Sequence, residues 1–73
     1  MEYIYDIYLD DELVGDSGDE IFDDETQAKL DAEDYIGNYL TEEYDRPTKD
    51  FEMVLLGKDQ GEYYTKLYSK YFK

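Results

Sequence analysis

The sequence predicts an α+β domain in which a small antiparallel sheet, formed in the order ββαβ, is packed by one amphipathic helix. Two segments alternate apolar and polar residues with a period of two, and a segment between them repeats apolar residues every three or four positions. A chain of 73 residues is long enough for one compact domain, residues 1–73, and too short for a second core.

The first two strands are predicted to form a hairpin. In residues 3–9 every odd-numbered residue is apolar or aromatic, so these residues share one face of a strand. Asp10 and Asp11 suit a tight turn, because aspartate tolerates left-handed backbone and bonds to nearby backbone groups. Residues 12–14 can then return as an antiparallel strand, before a loop rich in glycine and aspartate. The pattern therefore indicates a hairpin that can contain a bulge.

A helix is predicted to begin at Asp23 or Asp24, and Asp24 with Gln27 approximates a capping box. One stripe of this helix is apolar and consists of Ala28, Ala32, Tyr35, Ile36, Tyr39 and Leu40. The opposite side is polar and consists of Asp31, Asp34, Asn38 and Glu42. This side should face water or a partner. The helix should end near Pro47, because the residue before a proline is pushed out of the α region.

A third strand is predicted over residues 50–56, where Phe51, Met53 and Leu55 share one face. The tail of the chain repeats apolar residues at helical spacing, at Tyr64, Leu67, Tyr68, Tyr71 and Phe72. This spacing favours a short amphipathic C-terminal helix with lysines on its outer side. The tyrosines and a threonine of the tail allow a fourth strand instead.

The charge of the chain is concentrated at one end. Residues 1–45 hold 17 of the 21 acidic residues and one base, Lys29, for a net charge of −16, whereas residues 46–73 carry +2. The total of −14 exceeds the magnitude of about 2 to 8 that keeps a small domain in solution. Repulsion at this density destabilises the compact state, so the acidic surface is interpreted as functional. The alternative is that it is only a solvated face.

Several classes of function are disfavoured by composition. The chain has no histidine and no cysteine, so the commonest general base and the usual zinc ligands are absent and we expect no enzymatic activity and no cofactor. The five glycines match no phosphate-binding loop. No EF-hand register fits the acids of residues 10–25, because a loop ending on Glu25 would begin at Val14, so no metal site is predicted.

Location and partner class also follow from composition. The lack of cysteine fits a reducing compartment. A signal peptide begins with a positively charged region, and no basic residue precedes Lys29. No apolar run approaches the roughly 18 residues of a membrane span. We therefore expect a cytoplasmic protein without membrane association. A net charge of −14 argues against direct binding of nucleic acid and predicts a basic protein partner.

The spacing of the charges suggests what the partner normally binds. Duplex DNA carries one negative charge per roughly 1.7 Å, so 14 charges correspond to the phosphates of about 24 Å of duplex. A helix of 20 residues is about 30 Å long. Carboxylates on its outer side, together with those of residues 10–25, can therefore present a phosphate-like array to a groove lined with lysine and arginine.

In its small size, strong acidity, lack of histidine and cysteine, and α+β pattern, the chain resembles the phage-encoded acidic DNA-mimic inhibitors of the anti-CRISPR and anti-restriction class. The resemblance covers the overall composition and the acidic first two-thirds of the chain, without a shared motif. It implies an inhibitor that, in the host cell cytoplasm, occupies the basic DNA-binding site of a CRISPR effector nuclease, a restriction enzyme or another DNA-handling protein. Two alternatives stay open: an acidic adaptor or subunit that binds a basic partner without competing with nucleic acid, and a small structural phage protein.

The predicted partner-binding residues form the acidic cluster that has no neighbouring bases in the sequence, with Tyr8 as an outward aromatic among them. The acids are Asp10, Asp11, Glu12, Asp16, Asp19, Glu20, Asp23, Asp24, Asp31, Asp34, Glu42, Glu43 and Asp45.

Overall fold

The computed structural model of the chain describes residues 1–61 and 63–71. These residues form a four-stranded antiparallel sheet of order β2-β1-β3-β4 and a helical segment that packs on one of its faces. The strands are β1 (Glu2–Leu9), β2 (Glu12–Asp16), β3 (Phe51–Lys58) and β4 (Thr65–Tyr71). The helical segment consists of α1 (Glu25–Tyr35), a π-helical turn (Ile36–Leu40) and α2 (Thr41–Tyr44), and a short 3₁₀ turn (Thr48–Asp50) precedes β3. The predicted α+β class is confirmed.

The core lies between the sheet and the helical segment. β1 and β3 are the central strands, and the residues that alternate along them are buried on the face toward the helix. The sheet residues of this core are Tyr5, Ile7, Leu9, Phe51, Met53 and Leu55, and its helix residues are Ala28, Ala32, Ile36 and Leu40. Two of these helix residues are alanines, whose small side chains allow the helix to approach the sheet closely. The period-two and helical patterns therefore identified most of this core.

The β1–β2 hairpin and its bulge are confirmed. Asp10 and Asp11 both have positive φ, 52° and 67°, as a two-residue type I′ turn requires. The register shifts beyond this turn, where Ile7 pairs with Gly15 but Tyr8 pairs with Leu13, so that one residue of β2 is extra.

Beyond β2 the chain continues along the edge of β1. The Ser17 N–H donates to the Tyr5 carbonyl at 3.0 Å, and the Tyr5 N–H donates to the Ser17 hydroxyl at 3.3 Å. Phe22 then pairs with Tyr3 in an isolated antiparallel bridge. The segment between β2 and the helix is therefore held against the sheet, and the acids it carries are fixed along one edge.

The helical segment begins and ends with capped termini. Asp24 Oδ1 accepts a hydrogen bond from the Thr26 N–H at 3.0 Å, so Asp24 is the N-cap. At the other end Asp45 takes a left-handed conformation with φ 53°, and the Arg46 N–H donates to the Thr41 carbonyl at 3.1 Å. The helix therefore stops at Tyr44, ahead of the proline that was expected to end it.

The π-helical turn changes the face that the second half of the helix presents. The Thr41 N–H donates to the Ile36 carbonyl, five residues back, and the Thr41 hydroxyl donates to the Gly37 carbonyl at 3.1 Å. In a regular α-helix with 3.6 residues per turn, residues spaced by four rotate progressively around the helix axis. The wider turn reduces this rotation, so Ile36 and Leu40 are both buried. Tyr39 is turned outward and is 68% exposed, so its predicted place on the buried stripe is wrong.

The favoured interpretation of the tail as a helix is also wrong, and the alternative of a fourth strand is confirmed. β4 pairs with β3, so backbone groups that would otherwise form an open edge of β3 are hydrogen-bonded. A register shift in β4 explains the helix-like spacing, because it lets the adjacent residues Leu67 and Tyr68 both make apolar contacts. Tyr68 packs against the core. Leu67 covers Gly57, and a Cβ added to Gly57 would lie 2.6 Å from Leu67 Cδ1. Phe72 and Lys73, which the helix prediction included, lie outside the described residues.

Candidate functional site

The predicted acidic residues are nearly all on the surface. Twelve of the thirteen are exposed, and Asp31 is half-buried. They come from the β1–β2 turn, β2, the loop after β2, and the helical segment with its C-cap Asp45. The fold therefore exposes the charge that the sequence concentrates in its first 45 residues.

Side-chain contacts orient the helix so that one of its sides faces the β2 edge of the sheet. The Tyr5 hydroxyl donates to Asp31 Oδ2 at 2.6 Å, and the Tyr35 ring lies 3.3 Å from the position that a Cβ on Gly15 would take. On the other side of the helix, the Lys29 ammonium lies 4.5 Å from the centre of the Tyr68 ring in β4. The acids near Asp31 therefore lie beside β2, and the single base of the helix lies beside β4.

We use the name acidic edge for seven carboxylates on this side of the molecule. They are Glu12, Asp16, Asp19 and Glu20 from β2 and its following loop, and Asp31, Asp34 and Glu43 from the helical segment. Within the part of the chain that the structure describes, no ion pair involves any of these seven. The acidic edge therefore carries a negative charge that these residues do not neutralise.

Several of the basic residues are paired with other acids. Arg46 contacts Asp10 and Asp50, each at 2.9 Å, and the Lys29–Glu25 and Lys58–Glu2 pairs are each 3.2 Å apart. Asp10 therefore differs from the rest of the predicted set, because Arg46 neutralises it. The Arg46 contacts connect the β1–β2 turn to the end of the helix and to the 3₁₀ turn, so Asp10 has a structural role.

Asp31 is held in place by Tyr5. Burial raises the pKa of the Tyr5 phenol well above its ordinary value, and the hydrogen bond to Asp31 and the charge of Glu20 raise it further. The phenol therefore stays protonated at neutral pH and donates a hydrogen bond to Asp31. This contact ties the acidic edge to the core.

The Tyr5→Phe variant should lose about 1.5 kcal/mol of unfolding free energy, because hydrogen bonds to charged groups contribute about 1.5–3 kcal/mol and water can partly replace this one. Urea denaturation followed by circular dichroism measures the loss. The control is Tyr8→Phe, since Tyr8 is another tyrosine of β1 and its hydroxyl has no hydrogen bond within residues 1–61 and 63–71. Equal stability of both variants would show that the Tyr5–Asp31 bond does not stabilise the fold.

A shallow surface pocket of about 490 Å³ lies on the helix next to the acidic edge. Its lining residues are Asp31, Asp34, Tyr35, Asn38, Tyr39 and Glu43. The Tyr35 and Tyr39 rings meet edge to face, with centroids 6.0 Å apart and planes at 89°. The pocket combines aromatic surface with three carboxylates, a chemistry that suits a cation.

The sequence prediction missed the two tyrosines and Asn38 as site residues. The period of the helix placed Tyr35 and Tyr39 with the apolar stripe, and that assignment assumed a regular α-helix. A glycine inside the helix, Gly37, was the available signal that the turn around it is irregular. The acidic members of the pocket were all predicted.

Tyr8 lies away from this pocket, on the sheet face opposite the helix. It is half-buried between its ladder partners Leu13 and Glu52, so its role in partner binding stays a prediction. On the same face Asp6 pairs with Asp16 across β1 and β2. Burial raises the pKa of Asp6 above its ordinary value, and the charge of Asp16 adds to the shift.

Within the described residues, no three acidic side chains converge into a group that could hold a metal ion. No helix among them is long and apolar enough to cross a membrane.

Comparison of the chain with protein-family models, with curated proteins and with solved structures finds no match in any of the three.

Proposed function

We propose that this protein is an inhibitor that mimics nucleic acid and occupies the basic DNA-binding site of a DNA-handling protein, such as a CRISPR effector nuclease or a restriction enzyme. The observation that supports this proposal is the acidic edge. Seven carboxylates lie along one side of the molecule without an ion pair to any described residue, while Arg46, Lys29 and Lys58 are paired elsewhere. A surface of this kind gains binding energy from lysine and arginine on another protein.

The dimensions of the molecule support the same proposal. The principal axes measure 39 × 21 × 20 Å, so the protein is elongated with a nearly circular cross-section. A net charge of −14 along 39 Å amounts to one charge per about 2.8 Å, against roughly 1.7 Å for duplex DNA. The charge density is therefore of the order that a DNA-binding groove accommodates.

The distribution of the charge supports a particular binding mode. β4, which carries Lys66, forms the sheet edge opposite β2. A basic groove should therefore attract the β2 side and repel the β4 side, which orients the protein as it approaches. Inhibition would be steric, because the groove cannot hold this protein and a duplex together.

Competition tests the proposal. The tagged protein is used to capture its basic partner from cell extract, and the purified partner is then bound to a fluorescent duplex. Adding this protein in excess should release the duplex, as measured by a fall in fluorescence anisotropy. If the partner binds the duplex equally well with the protein bound, the mimic proposal is wrong, and the protein is an adaptor that binds a basic partner without competing with nucleic acid.

A further inference from the structure

We infer that the pocket on the helix, here called the tyrosine pocket (Asp31, Asp34, Tyr35, Asn38, Tyr39 and Glu43), takes the guanidinium group of an arginine side chain from a partner protein. This inference rests on the proposed function, because it gives the basic partner a specific anchoring residue.

Charge is the first reason for choosing a cation. Asp31, Asp34 and Glu43 contribute carboxylates to the pocket, and none of its lining residues is basic. Tyr5 occupies only Oδ2 of Asp31, which leaves Oδ1 able to accept another donor. A guanidinium group has five N–H donors in a planar fork and no acceptor, so it matches a pocket lined by several carboxylate oxygens.

The aromatic side chains are the reason for choosing arginine over lysine. Tyr39 is a large side chain at 68% exposure, and its edge-to-face contact with Tyr35 leaves ring surface uncovered. Guanidinium is planar and weakly hydrated, so it stacks on aromatic faces, whereas ammonium is a compact and strongly hydrated charge. A pocket that only attracted charge would need no aromatic residue.

Two of the lining residues, Asp31 and Tyr35, are held in place before any partner binds. Tyr35 packs against the core and over Gly15, Asp31 is held by Tyr5, and the π-helical turn places Tyr39 on the outside. π-Helical turns occur frequently at functional sites. Little conformational entropy should therefore be lost when a side chain enters, which favours binding.

The test compares hexa-arginine with hexa-lysine, two peptides of equal charge, by isothermal titration calorimetry at low ionic strength. The wild-type protein should bind hexa-arginine about two- to fivefold more tightly, which is the size of an exposed cation–π contribution. Tyr39→Ala should bind the two peptides equally, and Tyr39→Phe should keep the preference. Tyr63→Ala is the matched control, because Tyr63 is 80% exposed and lies outside the pocket.

Two results would overturn the inference. One is equal affinity of the wild-type protein for both peptides, and the other is an arginine preference that Tyr39→Ala and Tyr63→Ala retain to the same extent. Because Tyr39 is exposed, its replacement should leave the circular dichroism spectrum unchanged, and Asp34→Asn gives a second variant that should lower the preference. Displacement of DNA without an arginine preference would support the proposed function and contradict the inference about the tyrosine pocket. An arginine preference without displacement of DNA would support the inference and contradict the proposed function.

Discussion

Replacing Glu12, Asp19 and Glu20 together with lysine should weaken binding to the basic partner by more than tenfold. An exposed ion pair contributes about 0.2–1 kcal/mol, and charge reversal both removes the attraction and introduces repulsion. Three reversals should therefore exceed the 1.4 kcal/mol that corresponds to a tenfold change, although single changes at a rim have small effects. Titration of labelled protein with the captured partner measures the affinity.

These three positions are chosen so that the fold is preserved. All three side chains are exposed and make no hydrogen bond or ion pair with another described residue. Asp16 is left unchanged because its Oδ1 accepts a hydrogen bond from the Gly18 N–H at 2.7 Å and so supports the loop.

The matched control is the double variant Lys66→Glu and Lys70→Glu in β4, at the opposite edge of the sheet. It also changes exposed charges, but it should leave the affinity unchanged. Loss of binding in this control, with the triple variant silent, would place the interface on the β4 side and contradict the proposed binding surface.

The parts of the fold that sequence patterns predicted are those in which local and tertiary preferences agree. Asp10 and Asp11 both favour the turn conformation that the hairpin needs, and alternation in β1 and β3 matches burial on one sheet face. The tail was predicted wrongly because its apolar spacing suits a helix, while pairing with β3 satisfies an entire row of backbone groups. Pairing with β3 is a non-local interaction that decided the structure, and the sequence of the tail by itself does not indicate it.

The sequence also predicted part of the candidate site. Exposure of the acids follows from their cost of burial, so the sequence was sufficient to place them on the surface. Two features depended on the folded chain: the ion pair that joins Arg46 to Asp10, 36 residues apart, and the turn that exposes Tyr39. The ion pair joins distant parts of the chain and the turn departs from regular helix geometry, so residue spacing alone could not indicate either.

The isolated protein should become more stable when sodium chloride is added and again when the pH is lowered to about 5. Salt screens the repulsion among acids that have no ion pair to a described residue, and the Debye length falls from about 10 Å at 0.1 M to about 3 Å at 1 M. For a domain of this size each kcal/mol gained should raise the melting temperature by about 4–8 °C. The described ion pairs oppose this trend, but exposed pairs typically contribute at most about 1 kcal/mol each. Differential scanning calorimetry measures the change.

Asp6 contributes to the pH effect, because burial and then the charge of Asp16 raise its folded-state pKa. A raised folded-state pKa means that the native protein binds a proton more readily than the unfolded chain does. Stability contributed by this group therefore increases as the pH falls through the raised pKa toward the ordinary aspartate value, and is lost as the pH rises again. Asp6→Asn should be more stable than wild type at pH 7 and gain less on acidification, whereas the exposed control Asp59→Asn should behave like wild type. A melting temperature that falls both with salt and with mild acid would mean that most acids are paired, and the acidic edge would then be a structural feature with no charge left for a partner.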